Sequence, residues 1–234
     1  MKVNNLIMLL LASFFLCTTA QAEPILQVDI AAGTYDTTTE TIVATSNPFT
    51  VYALLNTKSG QYGSQSNKVD VNDTFYLSIA LIPKTGPAPA SLGSFDINFN
   101  NSGVQTINVT SDMTYGTPPQ LPGKGGHDIF ATYYYLYAFQ FDVADNAPLY
   151  DTQTNPGGLN IGLSGDLLYR GLVVDVAGLD PSVVLHFDLF AANGIKAPYS
   201  HDGESSTTPI PAPALLLGTG LIGLVGFRGR RQKP

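Results

Sequence analysis

Three histidines carry whatever imidazole chemistry this chain has, and each stands close to an aspartate: His127-Asp128, His186 with Asp188, and His201-Asp202. An imidazole beside a carboxylate is the pairing used by general bases and by metal centres. His186 and Asp188 sit two positions apart in an alternating stretch, so a strand would put both on one face, about 6.6 Å apart. A metal centre needs more ligands than these two. The simpler reading is two polar residues facing water opposite Leu185 and Phe187. His127 and His201-Asp202 lie at loop edges and nucleate a rival reading, a secreted hydrolase. No serine elbow supports it, because Gly162-Leu163-Ser164-Gly165 fails at the fifth position of the Gly-x-Ser-x-Gly pattern.

Hard oxygen ligands cluster elsewhere. Asp70, Asn72 and Asp73 fall within four residues just before an apolar alternating stretch, and calcium is the cofactor such oxygens would take. The glycine and distal glutamate of an EF-hand are missing, so a turn capped by its own side chains is the better account. Asp142, Asp145 and Asp151 invite the same idea and the same discount. Gly218-Thr219-Gly220-Leu221-Ile222-Gly223 spells a dinucleotide fingerprint, but no acidic residue follows it to hold a ribose. Tyr133-Tyr134-Tyr135-Leu136-Tyr137 is the densest aromatic stretch. On a strand, Tyr133, Tyr135 and Tyr137 line up with Phe139 and Phe141 as a core face, and Tyr134 points the other way. None of these sets makes an active site, and the chain reads as non-catalytic.

The elements that must position these residues alternate with period two. Phe75, Leu77, Ile79 and Leu81 form one such set, Phe95, Ile97 and Phe99 a second, and Leu185, Phe187 and Leu189 a third. Further strands are expected over Leu26–Ile30, Phe49–Leu55, Val104–Thr110, Ile129–Val143 and Gly171–Val176. Turn signals such as Asn100-Asn101-Ser102-Gly103 and Asn155-Pro156-Gly157-Gly158 separate them. With no convincing helical period, the expectation is an all-β, antiparallel β-sandwich. It would span residues 23–202 as one domain, with a polar linker over 203–208.

The ends differ from the middle. Lys2, the apolar run Leu6 to Leu16 and the small pair Ala20 and Ala22 form a secretory signal peptide over 1–22, cut after Ala22. The single cysteine, Cys17, would leave with it. All 18 acidic residues and only six cations lie between Glu23 and Glu204, a balance of −12. Such a surface repels phosphate backbones and excludes nucleic acid as a partner.

Residues 209–234 open on Pro209, Pro211 and Pro213, continue through an apolar run spaced by Gly218, Gly220 and Gly223, and end on Arg228, Arg230 and Arg231. This is the order of a single membrane helix with its basic end held in the cytoplasm. Ala212 to Phe227 is 16 residues, about 24 Å as a helix. That falls short of a hydrocarbon core of roughly 30 Å, which suits transient recognition better than permanent anchoring.

Read as Pro-Ile-Pro-Ala-Pro-Ala followed by that apolar run and the arginines, the tail resembles the PEP-CTERM sorting signals of Gram-negative bacteria. It is most like their V-P-L-P-A-type variants, with Ala212 where the name-giving motif has Glu. The resemblance implies an exosortase-type membrane protease as partner and an inner-membrane-tethered intermediate. Delivery to the cell surface or extracellular matrix would follow, with exopolysaccharide as a further partner. The middle of the chain also resembles the choice-of-anchor N family. The resemblance rests on Ala32-Gly33-Thr34-Tyr35, Phe49 to Leu54, Leu77 to Ala80, Gly116 to Pro119 and Ala197 to Asp202. That family has no assigned activity and brings no catalytic residue with it.

Overall fold

A computed structural model describes residues 24–87, 91–99, 102–119, 130–198 and 201–206. The expected signal segment with Ala20 and Ala22, the expected sorting segment from Pro209 to Arg231, and His127 all lie outside these residues. The regular structure of the described residues is nearly all strand. In order it forms β1 (Leu26–Ile30), β2 (Thr34–Asp36), β3 (Thr41–Val43), β4 (Phe49–Asn56), β5 (Phe75–Ile82), β6 (Ser94–Phe99) and β7 (Gln105–Asn108). A single helical turn, α1 (Val109–Asp112), comes next. The strands then resume as β8 (Thr114–Gly116), β9 (Thr132–Phe139), β10 (Asn146–Ala147), β11 (Leu167–Asp175), β12 (Val184–Ala191) and β13 (Asp202–Glu204). Among the described residues no helix is long and apolar enough to cross a membrane.

Two sheets result, giving a β-sandwich-like fold. The first runs β1-β4-β11-β6-β7 with β10 against β11, and the second runs β2-β3-β13-β12-β5-β9-β8. The pairing departs from a purely antiparallel arrangement at one place, where β13 lies parallel to β3. The core between the sheets comes from the alternation itself. Leu26, Val28 and Ile30 of β1, Phe75, Leu77 and Ile79 of β5, and Leu185, Phe187 and Leu189 of β12 are at most 1% exposed. Phe49 of the first sheet meets Phe187 of the second edge-on, ring centroids 6.0 Å apart. Phe99 and Tyr137 make a second bridge at 4.4 Å. Each such large side chain, fully buried, contributes about 1.5–3 kcal/mol.

Several expected boundaries moved for local reasons. The stretch from Val104 ends as a strand at Asn108, because Asp112 turns back to accept from both the backbone and side-chain nitrogens of Asn108. The aromatic strand is shorter than expected, stopping at Phe139. Tyr133, Phe139 and Phe141 are buried and Tyr135 and Tyr137 pack against the same core. The largest change concerns residues 203–208, expected as a linker. Gly203 and Glu204 belong to β13, and Ser205 is buried with its hydroxyl accepting from Leu185 N.

Gly203 explains why that strand fits. A Cβ there would stand 3.0 Å from Val28 Cγ1 and 3.2 Å from Ile30 Cδ1. The strand therefore lies directly on β1 at its inner face, and Asp202 and Glu204 are turned to the outer one.

Candidate functional site

β12 is a central strand of the second sheet, with β13 on one side and β5 on the other. Its inner residues are core, so His186 and Asp188 project from the outer face. β13 places Glu204 directly opposite His186, and Asp202 follows on the same face. β5 places Ala80 opposite His186 and Ser78 opposite Asp188. Three elements distant in sequence thus deliver one imidazole, three carboxylates and a hydroxyl to one patch.

The patch is tight. His186 Nε2 is 3.4 Å from Asp188 Oδ1 and 3.9 Å from Asp202 Oδ2. One ligand atom from each of the three falls within 4.8 Å of the others. Glu204 Oε2 accepts from Thr41 Oγ1 at 3.4 Å. Beside the cluster opens a cleft of about 390 Å³, whose walls include Thr38, Pro83, Lys84, Pro118 and Phe130. A smaller hollow of about 140 Å³, with Lys196 and Phe190 in its lining, reaches Asp188 and Asp202 from another side.

Asp188 is buried rather than facing water, while the His186 side chain keeps 14% exposure where it lines the cleft. Asp188 is 8% exposed and Asp202 2%. The outer face of a central strand stays open only if nothing folds over it, and here the segments lining the two hollows do so. The signal that could have found the site is Asp202-Gly203-Glu204 itself. Acid–glycine–acid at strand period is a strand with a charged outer face and a close inner approach, not a linker.

Burial is the largest influence on the electrostatics of the patch. Burial raises the Asp202 carboxyl well above its ordinary range, and the hydrogen-bonded Asp188 carboxyl beside it raises it further, against a lowering influence from Lys196. A carboxylate neighbour disfavours the charged form of Asp202 in the same direction as its burial. Burial also raises Glu204, with His186 and Thr41 opposing. For His186, burial pulls the imidazole down. The Asp188 carboxylate and its hydrogen bond, with Glu204, outweigh it, and the ring ends above its ordinary value.

The other candidates lie apart from this patch. His201 and Asp202 are neighbours but take different partners. His201 Nε2 faces Asp151 at 3.4 Å, and its burial lowers its pKa despite that carboxylate. Asp70 and Asp73 spend their oxygens inside their own turn, accepting from Asn72 N and Asp70 N, each at 2.8 Å. Asn72 turns its carbonyl to Gln140 Nε2 at 2.8 Å. Asp142 accepts from Ala144 N, Asp145 pairs with Arg170 at 2.6 Å, and Asp151 also accepts from Gln153 N and Thr154 N.

The outer face of the first sheet holds a second buried polar set that the sequence did not announce. Asp29 Oδ1 accepts from Ile30 N and Gly157 N, both at 2.8 Å, and Oδ2 accepts from the Tyr150 hydroxyl. Gln27 Oε1 accepts from Thr152 N at 3.0 Å, and its Nε2 donates to Tyr150 O at 3.3 Å. Gly157 is at φ +70°, and a Cβ there would sit 2.8 Å from Ala32 N. Only glycine lets the 150–158 segment come close enough to reach Asp29.

No family model and no curated protein matches this chain. The reading of the site therefore rests on its chemistry.

Proposed function

We propose that this chain is an exported, non-catalytic protein, sorted by its C-terminal exosortase-type signal to the cell surface or exopolysaccharide matrix. The acidic cleft on the outer face of the second sheet is its contact surface. The observation that carries this reading is the fit between fold and ends. The first strand opens at Leu26, four residues past the expected cut after Ala22, and the last closes at Glu204, five residues before Pro209. Among the described residues the core runs from Ile25 to Ala197. A balance of −12 over that body suits solubility among polysaccharide and cations.

Cell fractionation with intact-mass analysis tests the proposal. The expected product begins at Glu23, ends near Pro211 and is found in the surface or matrix fraction. Replacing Arg228, Arg230 and Arg231 with Ser should remove C-terminal processing and leave the protein in the membrane fraction. Normal cleavage and display of that variant would exclude the sorting role.

One observation favours a second reading. A buried carboxyl raised above its ordinary range, with a second carboxyl beside it at a cleft, is also what acid–base hydrolysis uses. The hydrolase alternative then moves from His127, His201 and Asp202 to Asp188 and Asp202. Turnover on a broad ester and glycan panel, lost in Asp202→Asn, would select it.

A further inference from the structure

From the outer face of the second sheet we infer that His186, Asp188 and Asp202 bind one divalent first-row transition ion of the Mn²⁺ or Zn²⁺ class, with Ser78 as an outer-sphere partner. This goes beyond surface display, which requires no metal.

Geometry comes first. Ligand atoms bound to one such ion at about 2.0–2.2 Å lie roughly 3–4 Å from one another. The separations of 3.4 and 3.9 Å from His186 Nε2 are already in that range, and the three ligand atoms all lie within 4.8 Å of one another. The ligands stand on two neighbouring strands of a sheet whose inner face is solid core. The frame is therefore rigid.

Ser78 supplies the independent observation. It is 1% exposed, opposite Asp188 in register, and its Oγ has no hydrogen-bond partner. A buried hydroxyl left without a partner costs about 1–3 kcal/mol. Directly opposite residues on a sheet have Cβ atoms about 4.5–5.5 Å apart. A water held by an ion at the neighbouring carboxylates would reach that hydroxyl and remove the penalty.

Charge balance agrees. Asp188, Asp202 and Glu204 bring three carboxylates to the patch. Lys84 and Lys196 line the two hollows beside it. An ion placed between Asp188 and Asp202 offsets the repulsion between the two carboxylates.

The donor set decides the kind of ion. Calcium takes six to eight oxygens, whereas one imidazole nitrogen with carboxylates suits the first-row divalent ions. This site is distinct from the Asp70–Asp73 turn, whose oxygens are engaged by backbone amides.

The test uses the full-length protein, purified in mild detergent without a polyhistidine tag. It is loaded with MnCl₂, passed through gel filtration, and analysed for bound metal and for ¹⁴N coupling to Mn²⁺ by pulsed electron paramagnetic resonance. One Mn²⁺ per chain coupled to one imidazole nitrogen is expected. The coupling should vanish in His186→Gln and persist in the His127→Gln/His201→Gln double variant, where His186 is the only histidine left. Ser78→Ala should retain the site with about 10-fold weaker affinity, the size of an outer-sphere loss. No retained Mn²⁺ in the wild type, coupling that survives in His186→Gln, or coupling lost in the double variant would each overturn the inference. If one histidine variant fails to fold, the other still decides. Loss of metal with normal surface display would leave the proposed function standing.

Discussion

Asp29 and Asp202 are both buried aspartates on the outward side of a strand, one on each sheet, with 0% and 2% exposure. Burial pushes both carboxyls upward, and their neighbours then separate them. Asp29 meets three donors, two of them backbone amides held by the chain itself. Asp202 meets the hydrogen-bonded carboxyl of Asp188. The first arrangement pins a loop, because the 150–158 segment closes on the sheet through Tyr150 and Gly157. The second sets two carboxyls against each other beside a cleft, with the His186 imidazole within 3.9 Å of both. A buried acid with its donors built in is structural, whereas one buried against another acid points to something that binds. An unpartnered hydroxyl alone does not separate the two faces, since Thr152 Oγ1 has none either. The carboxyl contact does.

The sharpest break between the faces should come from removing each acid. Asp29→Ala strands the Tyr150 hydroxyl and the Gly157 amide, and at about 1–3 kcal/mol for each orphaned group it should lower stability by about 3–5 kcal/mol. Urea unfolding measures it. A loss below about 1 kcal/mol would mean that the 150–158 segment docks without Asp29, and the comparison would fail. Asp29→Asn probes the same residue through pH. Its folded pKa lies above 3.8 because burial outweighs the three donors. Its contribution to stability is therefore complete below pH 3.8 and lost as pH rises through the folded value. The variant lacks that loss, so the gap between wild type and Asp29→Asn should narrow as pH is raised from 4. A constant or widening gap would contradict the raised value.

On the second sheet the sign reverses. With chelator present, Asp202→Asn removes the carboxyl–carboxylate contact and should stabilise by about 0.5–2 kcal/mol, as changes at functional sites often do. Thermal unfolding in EDTA reads it directly. A destabilisation greater than about 1 kcal/mol would place Asp202 with Asp29 as a structural residue.

The sequence made the frame legible and left its outer faces obscure, for one reason. Alternation reports which side of a strand is core, and Phe75 to Leu81 and Leu185 to Leu189 behave as their period requires. It says nothing of what folds over the other side. Nothing marks Asp29 within the expected strand Leu26–Ile30, and His186 and Asp188 read as residues facing water, because loop coverage depends on contacts far apart in sequence, such as Asp29 with Tyr150. β13 was missed through its glycine and its two acids, which suggest a linker until Val28 and Ile30 are known to lie against it. His186 and Asp188 were noticed as sharing a face. The third ligand needed the topology that brings Asp202 beside them.

The smallest expected effect tests whether acid density alone makes a site. Asp70, Asn72 and Asp73 put three oxygen-bearing side chains within four residues, yet the two carboxylates accept from amides within the turn. Asp70→Asn with Asp73→Asn keeps an acceptor at both positions and removes two charges from a strongly acidic body. Each exposed turn bond is weak, so the pair should change stability by about 0.5 kcal/mol or less. Calcium should then raise the Tm of wild type and variant equally, and no more than sodium chloride of the same ionic strength, because both salts screen the same self-repulsion. A calcium-specific rise in the wild type, lost in the variant, would show that the turn opens to give its oxygens to an ion. Sequence clustering would then have located a site that the folded geometry hides. Equal shifts would leave the patch at His186, built from three separated segments, as the place where this fold gathers charge for a partner.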